Sequence, residues 1–240
     1  MSTILAVETS SNLCSVAVLR DGQVFELTED APREHTQKLL PMIDALLTDN
    51  NLQLADLDAI AYGCGPGSFT GLRICLGVVQ GLAYGRDIPL IPVSSLETIA
   101  RSAAEQGNLG VDKGYLVVAN DARMDEVYAC FYEFGPDGVV ALSEEQVLKP
   151  AELCCQSQFK SLVQEFFAIG DGWHYPDLAE VLANREDNQS QCIIKATAGV
   201  MLGIAAEKLA RGETIAAEQS EPTYLRDSVA WKKRERIRSN

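Results

Sequence analysis

The chain has 240 residues, 47% hydrophobic and 22% charged, which suits two compact domains and excludes a disordered chain. Its net charge of −14 argues against general binding to nucleic acid, because an acidic surface repels phosphate backbones. The sequence shows no signal peptide and no apolar run of membrane-spanning length, so we expect a cytoplasmic protein that does not contact membranes.

The cysteines are odd in number and irregularly spaced, and none form a CxxC pair. Such a pattern is typical of reduced cytosolic thiols, mostly buried as small apolar residues. The adjacent Cys154 and Cys155 could not bind one metal ion together without strain. The full set is Cys14, Cys64, Cys75, Cys130, Cys154, Cys155 and Cys192.

The N-terminal part of the chain predicts three consecutive antiparallel strands. Residues 3–8 form a buried apolar run, and residues 14–20 and 23–29 follow as strands. Asp21 and Gly22 between the last two are a typical hairpin turn.

Helices and strands then alternate. Apolar residues at helical spacing predict a helix over 35–48, in which Pro41 either bends the helix or marks its true start. The remaining predicted elements are a strand over 57–62, a glycine-rich turn over 63–71, a helix over 69–85, a strand over 88–94 and a helix over 95–106. The order β-β-β-α-β-α-β-α is that of the ribonuclease-H-like unit, which builds each half of actin, Hsp70 and sugar kinase folds.

A second, less complete copy of this unit follows a break at 107–114. The segments YLVVANDAR and EVYACFYEFG repeat the opening hairpin, which indicates a diverged internal duplication. We therefore expect a two-lobed, actin-like (ASKHA) α/β fold. Its parts are a first lobe over 1–108, a smaller lobe over 109–225 whose last helix packs back on the first lobe, and a basic tail over 226–240. Within the second lobe we expect helices over 151–167 and 196–211 and a polar loop over 182–191.

The glycine turn GCGPGSFTG is not a recognisable catalytic motif. A phosphate loop would need Lys followed by Ser or Thr after Gly71, where Leu72 and Arg73 stand. The dinucleotide-binding spacing is one residue out of step, and the flanking residues of a nucleophile elbow are missing. The sequence favours a structural turn in which Ser68 or Thr70 caps the next helix.

Small residues line one face of that next helix. Gly77, Gly81 and Gly85 recur every fourth residue, and the other faces are largely apolar. A helix that is apolar nearly all round needs cover on more than one side. We expect the helix over 35–48 and a second subunit to provide it; the alternative is cover from the chain's own second lobe.

Five segments together resemble the TsaB (YeaZ) family of tRNA threonylcarbamoyladenosine biosynthesis accessory proteins, in the form found in gamma-proteobacteria. The resemblance extends over most of the chain and is weakest at 135–195. The segments are ILAVETSSNLCSVAVL, PREHTQKLLPMI, AYGCGPGSFTGLRICLG, ANDARMDEVYACFY and EPTYLRDSVAWKK.

The resemblance implies a scaffold or activator and not an enzyme. Its partner would be the catalytic paralogue TsaD, which transfers threonylcarbamoyl to N6 of adenosine 37 in tRNAs that read ANN codons. The ATPase TsaE would complete the system, and the chain would form a homodimer in isolation. The predicted docking residues are Leu39, Met42, Ile43, Leu46, Phe69, Leu72, Arg73, Leu76, Gly77, Gly81 and Gly85.

The sequence departs from the catalytic paralogue at the metal site. Where that paralogue carries a His-x-x-x-His motif, this chain has Ser95 and Ile99, and its two histidines, His35 and His174, lie far apart. We therefore expect no metal site. We also expect no cofactor of its own, with a nucleotide, if any, at the joint with partners. The candidates for a weak nucleotide contact are Glu8, Thr9, Ser10, Gly170 and Gly172.

Several polar residues have simpler interpretations than catalysis. We expect His35 to make a hydrogen bond at a helix start, and His174 to be packed or exposed. Asp121, Arg123 and Glu126 would form a structural ion-pair network, although a cleft-facing role stays open.

The basic run at 232–238 is either a solvated chain end or a contact for tRNA phosphates. The runner-up function is an autonomous ATP-dependent phosphotransferase of the actin and sugar-kinase superfamily, suggested by Glu8 and the two lobes. A serine or cysteine hydrolase lacks a pairing of base and nucleophile in the sequence.

Overall fold

The computed structural model describes residues 2–105, 109–162, 166–185 and 191–226. The basic run at 232–238 and the centre of the predicted polar loop lie outside the described residues. Within the described ranges, no helix is long and apolar enough to cross a membrane.

The first sheet has five strands in the order β3-β2-β1-β4-β5. Strands β1 to β3 are antiparallel, and β4 and β5 run parallel to β1. Asp21 and Gly22 adopt left-handed conformations, as a two-residue hairpin turn requires, which confirms the predicted turn. The strands are β1 Ile4–Glu8, β2 Leu13–Arg20, β3 Gln23–Asp30, β4 Ala59–Gly65 and β5 Leu90–Ser94.

Three helices follow the predicted order in the first lobe: α1 His35–Asp49, α2 Phe69–Tyr84 and α3 Ser95–Glu105. Helices α1 and α2 bury their apolar sides with the first sheet in one core cluster. Helix α1 begins at His35 and contains Pro41, so the alternative that Pro41 marks its start is wrong.

The second sheet also has five strands, but only four of them repeat the strand order of the first. Its path β8-β7-β6-β10 corresponds to β3-β2-β1-β4, and a short β9 pairs with β7. This topology confirms the predicted duplication with a less complete second copy. The strands are β6 Gly114–Arg123, β7 Glu126–Gly135, β8 Gly138–Ala141, β9 Gln146–Leu148 and β10 Phe166–Ile169.

The predicted single helix over 151–167 is wrong. The chain forms two short helices, α4 Pro150–Cys155 and α5 Ser157–Leu162, and then enters strand β10. Strand β10 pairs in parallel with β6, and its Phe166 is buried in the second lobe. Sheet pairing therefore overrides the helical pattern at this point.

Two further helices complete the fold. Helix α6, Pro176–Ala183, was not predicted and begins at a proline, which suits a first helical position. Helix α7, Ala198–Ala210, confirms the prediction over 196–211. It packs Met201 and Leu202 on the face of the first sheet opposite α1 and α2, so that sheet is covered on both sides.

Candidate functional site

The glycine turn at 63–71 is bound to the turn that follows β1. The Ser68 N–H donates to the Ser10 carbonyl at 2.7 Å. The Thr9 hydroxyl donates to the Gly71 carbonyl at 2.9 Å. The Ser68 hydroxyl accepts the Gly71 N–H at 3.2 Å, which confirms Ser68 as the helix cap. The two turns thus form one closed unit.

The glycines of this turn mark places where backbones touch. A methyl group on Gly67 would lie 2.6 Å from the Ser10 carbonyl oxygen. One on Gly71 would lie 2.0 Å from the Thr9 carbonyl oxygen, and one on Gly63 would lie 2.2 Å from a carboxylate oxygen of Glu8. The space that a phosphate would need between these turns is therefore filled by the chain itself.

Glu8 lies at the bottom of this closed unit and is only 1% exposed. Its carboxylate accepts the Ser10 N–H and, at 3.2 Å, the Ser95 hydroxyl. Burial raises the pKa of the Glu8 carboxyl, against the opposing effect of these hydrogen bonds. Thr9 and Ser10 are buried as well, so the geometry gives no support to the expected nucleotide contact at Glu8, Thr9 and Ser10.

The glycines of the second lobe are equally structural. Gly170 has φ +104°, and a methyl group there would lie 2.2 Å from Asn120 Oδ1. One on Gly172 would lie 2.8 Å from the Ala119 carbonyl oxygen. Close approach to strand β6 therefore accounts for both glycines, and the geometry gives no support to the expected nucleotide contact there.

The positions of the missing metal motif are packed into the protein. Ser95 hydrogen-bonds Glu8, and Ile99 is 2% exposed in the core around α3. Across the described part of the chain, no group of three or more His, Cys, Asp and Glu side chains could hold a metal ion.

The two histidines lie in different lobes. His35 begins α1, and its Nε2 is 3.0 Å from the Leu13 carbonyl oxygen, which confirms a hydrogen bond at a helix start. His174 is exposed, with Nδ1 2.6 Å from the Asp171 carbonyl oxygen. Among the described residues, neither histidine has a serine or cysteine nucleophile as a hydrogen-bond partner.

The cysteines are all free thiols. Cys14, Cys75 and Cys130 are buried and Cys155 is exposed, while the other three are half-buried. The expectation of mostly buried thiols therefore holds only in part.

The charged residues at the β6–β7 turn form two ion pairs, so the expected network of Asp121, Arg123 and Glu126 holds only in part. Arg123 pairs with Asp121 at 3.0 Å, and Arg226 pairs with Glu126. Arg123 is one of three consecutive residues, with Met124 and Asp125, that adopt left-handed conformations. Arg226 also donates to the carbonyl of Ala122, so the network holds this turn in place.

The predicted docking residues divide into a buried and an exposed group. The buried group packs in the core of the first lobe, so these side chains offer no accessible surface and their expected direct contact with a partner needs correction. Leu76 is half-buried. The buried members are Leu39, Met42, Ile43, Leu46 and Leu72.

The exposed group forms a line along α2, which we call the α2 stripe. Methyl groups on Gly77, Gly81 or Gly85 would meet nothing within 4 Å. The expected cover from α1 or the second lobe is therefore absent from these glycines in the described part of the chain. The stripe consists of Phe69, Arg73, Gly77, Gly81 and Gly85, all exposed and each four residues from the next.

Aromatic residues flank the two ends of the stripe. At the start of α2, the Arg73 guanidinium lies 3.9 Å above the Phe69 ring, and its Nε–H donates to the Tyr224 hydroxyl at 3.0 Å. At the other end, Tyr84 is 69% exposed. In the sequence, Tyr224 was visible only as part of the family resemblance, in the segment EPTYLRD, and Tyr84 only as one of the residues on the other faces of the helix.

Residues 215–226 cross α2 beside this stripe, and we call them the return strap. Ile215 bridges to Leu90, and Gln80 donates to the Ser220 hydroxyl at 2.9 Å. The Thr223 N–H donates to the Cys64 carbonyl at 2.6 Å. Since Arg226 then pairs with Glu126 of β7, the strap connects α2 to the second lobe.

The repeated strand order defines a two-lobed α/β protein made of ribonuclease-H-like units. A family model described as "TsaD: tRNA N6-adenosine threonylcarbamoyltransferase" matches residues 27–234. The class is therefore that of the TsaD-type proteins.

Curated relatives narrow this class. The tRNA threonylcarbamoyladenosine biosynthesis protein TsaB of Escherichia coli (strain K12) is 42% identical over 236 residues, covering 96% of this chain and 97% of that protein. The protein of the same name from Haemophilus influenzae is 38% identical over 242 residues, covering 96% of each. The chain belongs to the TsaB (YeaZ) family.

A solved structure has the same fold. YeaZ from Pseudomonas aeruginosa superposes with a TM-score of 0.80 at 36% identity, covering 94% of this chain and 100% of that one. A second, described as an uncharacterized protein with similarity to peptidase YEAZ from Pseudomonas aeruginosa, has a TM-score of 0.81 at 37% identity and the same coverage.

Proposed function

We propose that this chain is a non-catalytic accessory subunit in the synthesis of N6-threonylcarbamoyladenosine at position 37 of tRNAs that read ANN codons. Its task is to bind and activate the catalytic paralogue TsaD. The observation that carries the proposal is the bare α2 stripe of a TsaB-family chain, where another helix can approach the backbone closely.

Two features of the first lobe support a non-catalytic role. The glycine turn is closed against Thr9 and Ser10, which removes the space for a phosphate. Ile99 stands in place of a metal-binding histidine and is buried. Both features favour a protein that has the fold of a transferase but lacks the space for a phosphate and the metal-binding histidine.

A peptidase role finds no support in the described geometry. Nucleophilic catalysis needs a serine or cysteine within hydrogen-bond reach of a base. Both histidine rings contact backbone carbonyls instead. Burial raises the pKa of the half-buried Cys64 thiol to about 11, which disfavours the reactive thiolate.

The competing proposal is an ATP-dependent phosphotransferase, favoured by the two lobes alone. Calorimetry with Mg-ATP on the isolated chain distinguishes the two. We expect no turnover, and tight binding with turnover would overturn the accessory role.

The central experiment is reconstitution of threonylcarbamoyl transfer with this chain, TsaD, TsaE, ATP and tRNA, each omitted in turn. We expect activity to fall sharply without this chain, and this chain alone to be inactive. Full activity of TsaD and TsaE without this chain would contradict an activating role.

A matched pair of variants tests the docking face. Gly81→Leu places a side chain on the bare stripe and should prevent association with TsaD while the monomer stays folded. Gly203→Leu is the control, because Gly203 is an equally open helical glycine on α7. If Gly81→Leu still co-purifies with TsaD, the docking face is wrong.

The remaining assignments belong to the same proposal. The chain would act in the cytoplasm, join TsaE through the complex, and form a homodimer when TsaD is missing. A nucleotide, if present, would sit at the joint between subunits. The 232–238 tail would contact tRNA, and its deletion should lower the salt dependence of tRNA binding by the assembled complex.

A further inference from the structure

Residues 220–226, the last part of the return strap, form neither a helix nor a strand in the structure. Individual contacts therefore fix their path. The Thr223 N–H donates to the Cys64 carbonyl near the end of β4. Beyond it the strap makes two larger contacts, one through Tyr224 with α2 and one through Arg226 with the second lobe.

The contact on α2 is made with the α2 stripe itself. The ring centroids of Tyr224 and Phe69 are 5.4 Å apart, and the Tyr224 hydroxyl accepts the Arg73 Nε–H. Phe69 is 50% exposed and Tyr224 is 44% exposed, so both side chains leave a large face open to solvent. A helix that docks along the stripe as far as Phe69 therefore covers this stack of three side chains.

The contact on the second lobe is made by the Arg226 guanidinium with the β6–β7 turn. It pairs with the Glu126 carboxylate and donates to the carbonyls of Ala122 and Arg123 at 3.3 and 3.5 Å. Its Nη1 is also 3.5 Å from the sulfur of Met124. One side chain of the strap thus contacts four of the residues over 122–126.

The β6–β7 turn has an unfavourable backbone conformation. Arg123, Met124 and Asp125 have φ values of +61°, +59° and +59°, a region that residues other than glycine rarely occupy. Such a conformation persists only where its surroundings hold it. Arg226 supplies donors to the turn carbonyls, so the turn is free to relax when Arg226 leaves.

The two contacts of the strap are too close together to move independently. Tyr224 and Arg226 are separated only by Leu225, which allows at most about 7 Å between their Cα atoms. A shift of Tyr224 away from α2 therefore also displaces Arg226 from the turn.

We infer that the return strap couples occupation of the α2 stripe to the conformation of the β6–β7 turn. A helix docked on the stripe removes water from the contact of Arg73 with Tyr224 and strengthens it. Arg226 is then held more firmly on the turn and, by linkage, a firmly held turn favours docking. The inference rests on the proposed function only for the identity of the docked partner, TsaD.

Hydrogen exchange on the isolated full chain, followed by mass spectrometry, tests the coupling without a partner. The hydrogen bond and ring contacts of Arg73 among the described residues are with Phe69 and Tyr224. Arg73→Gln should nevertheless speed exchange of the amides over 122–126 by about fivefold or more. Arg226→Gln acts on the turn directly and should give the largest increase.

Controls separate this coupling from a general loss of stability. Arg211→Gln is the matched change, because Arg211 is an exposed arginine whose ion pair with Glu213 lies at the end of α7, and it should leave the turn unchanged. Exchange of the core amides over 129–132 should stay the same in every variant. Tyr224→Phe keeps the ring and removes only the hydroxyl, so it should give a smaller increase than Arg73→Gln.

Binding of TsaD tests the coupling from the side of the stripe. At saturating TsaD, exchange over 122–126 should slow by about fivefold or more in the wild type. Tyr224→Ala lacks the stack, so saturating TsaD should not slow exchange of its turn. A partner that covered the turn directly would slow exchange in both chains.

Three results would overturn the inference. They are a turn unaffected by Arg226→Gln, a turn affected by Arg226→Gln but not by Arg73→Gln, and equal slowing by TsaD in wild type and Tyr224→Ala. Each of them leaves the accessory role standing. Failure of TsaD to bind the wild type would contradict the accessory role, while the exchange of the isolated variants would still decide the coupling.

Discussion

The glycine turn and the α2 stripe use the same residue for opposite purposes. In the turn, Gly67 and Gly71 have backbone atoms of Thr9 and Ser10 closer to the missing methyl group than any real contact allows. In the stripe, Gly77 and Gly81 face open space. The first pair is needed for the chain to fold, whereas the second pair is not needed by the monomer at all.

This difference separates glycines that the fold requires from glycines that it leaves open. Both groups lie between residues 67 and 85, and glycine spacing alone cannot tell them apart. What distinguishes them is whether the chain itself occupies the space beside the glycine. We therefore expect substitutions in the two groups to act on different measurements.

The largest expected effect is that of Gly71→Ala. The added methyl group would lie 2.0 Å from the Thr9 carbonyl oxygen, a backbone atom that cannot move without opening the turn. We expect a loss of about 3 kcal/mol in the free energy of unfolding, measured by urea denaturation. A loss below about 1 kcal/mol would show that the two turns separate easily and that the fold does not depend on Gly71.

The second prediction concerns Glu8, which lies under Gly63 in the same unit. Because burial raises the pKa of its carboxyl, the folded state holds this proton more tightly than the unfolded state. Its contribution to stability is full below the unfolded pKa and is lost as pH rises through the folded pKa. As the pH rises through the folded pKa, the free energy of unfolding of Glu8→Gln should therefore increase relative to that of the wild type.

The measurement is a series of urea denaturations of Glu8→Gln and wild type across acidic to neutral pH. Glu218→Gln, an exposed carboxyl change on the return strap, serves as the control. Parallel curves for Glu8→Gln and wild type would mean that folding leaves the pKa of the Glu8 carboxyl unchanged, contrary to its burial.

A smaller effect is expected for Ser68→Ala, which removes the cap of α2. The Gly71 N–H loses its acceptor, at a cost of about 1 kcal/mol of unfolding free energy. Thermal melting of Ser68→Ala beside Thr70→Ala distinguishes the two residues that the sequence left open. An equal loss of unfolding free energy in Thr70→Ala would show that both residues cap the helix.

The smallest effect has the opposite sign. Gly77→Ala should stabilise the monomer by up to about 1 kcal/mol, because alanine is the better helix former and its methyl group meets nothing. Gly203→Ala on α7 should behave alike and is the control. The measurement is the free energy of unfolding at a concentration where the chain is monomeric. If Gly77→Ala destabilises the chain and Gly203→Ala does not, the stripe is covered within the monomer.

Sequence patterns predicted most of the first lobe, because strand runs, the Asp21–Gly22 turn and helical spacing act locally. They failed over 151–167, where apolar residues at helical spacing belong partly to a buried strand. Phe166 joins β10 because β6 offers it a parallel partner, which no local pattern reveals. Helix α6 was not predicted either, because no local pattern revealed it.

The composition of the proposed docking face could be predicted from the sequence only in part. Helical periodicity shows that Leu39, Met42, Ile43 and Leu46 share an apolar side, but not whether a sheet or a partner covers it. The chain's own sheet does. A pocket at the C-terminal end of α2, lined by Tyr84, Asp87, Ile88, Ile215 and Glu218 among others, could not be predicted either, because its walls come from segments that only the fold brings together.

The bare glycines of α2 imply that two kinds of mutational survey of this protein will disagree. A survey scored on abundance of the folded chain should accept many substitutions at Gly77 and Gly81, since folding places nothing beside them. A survey scored on growth that depends on the assembled enzyme should reject the bulky ones. The positions where the two surveys diverge would then outline the contact surface without a structure of any complex.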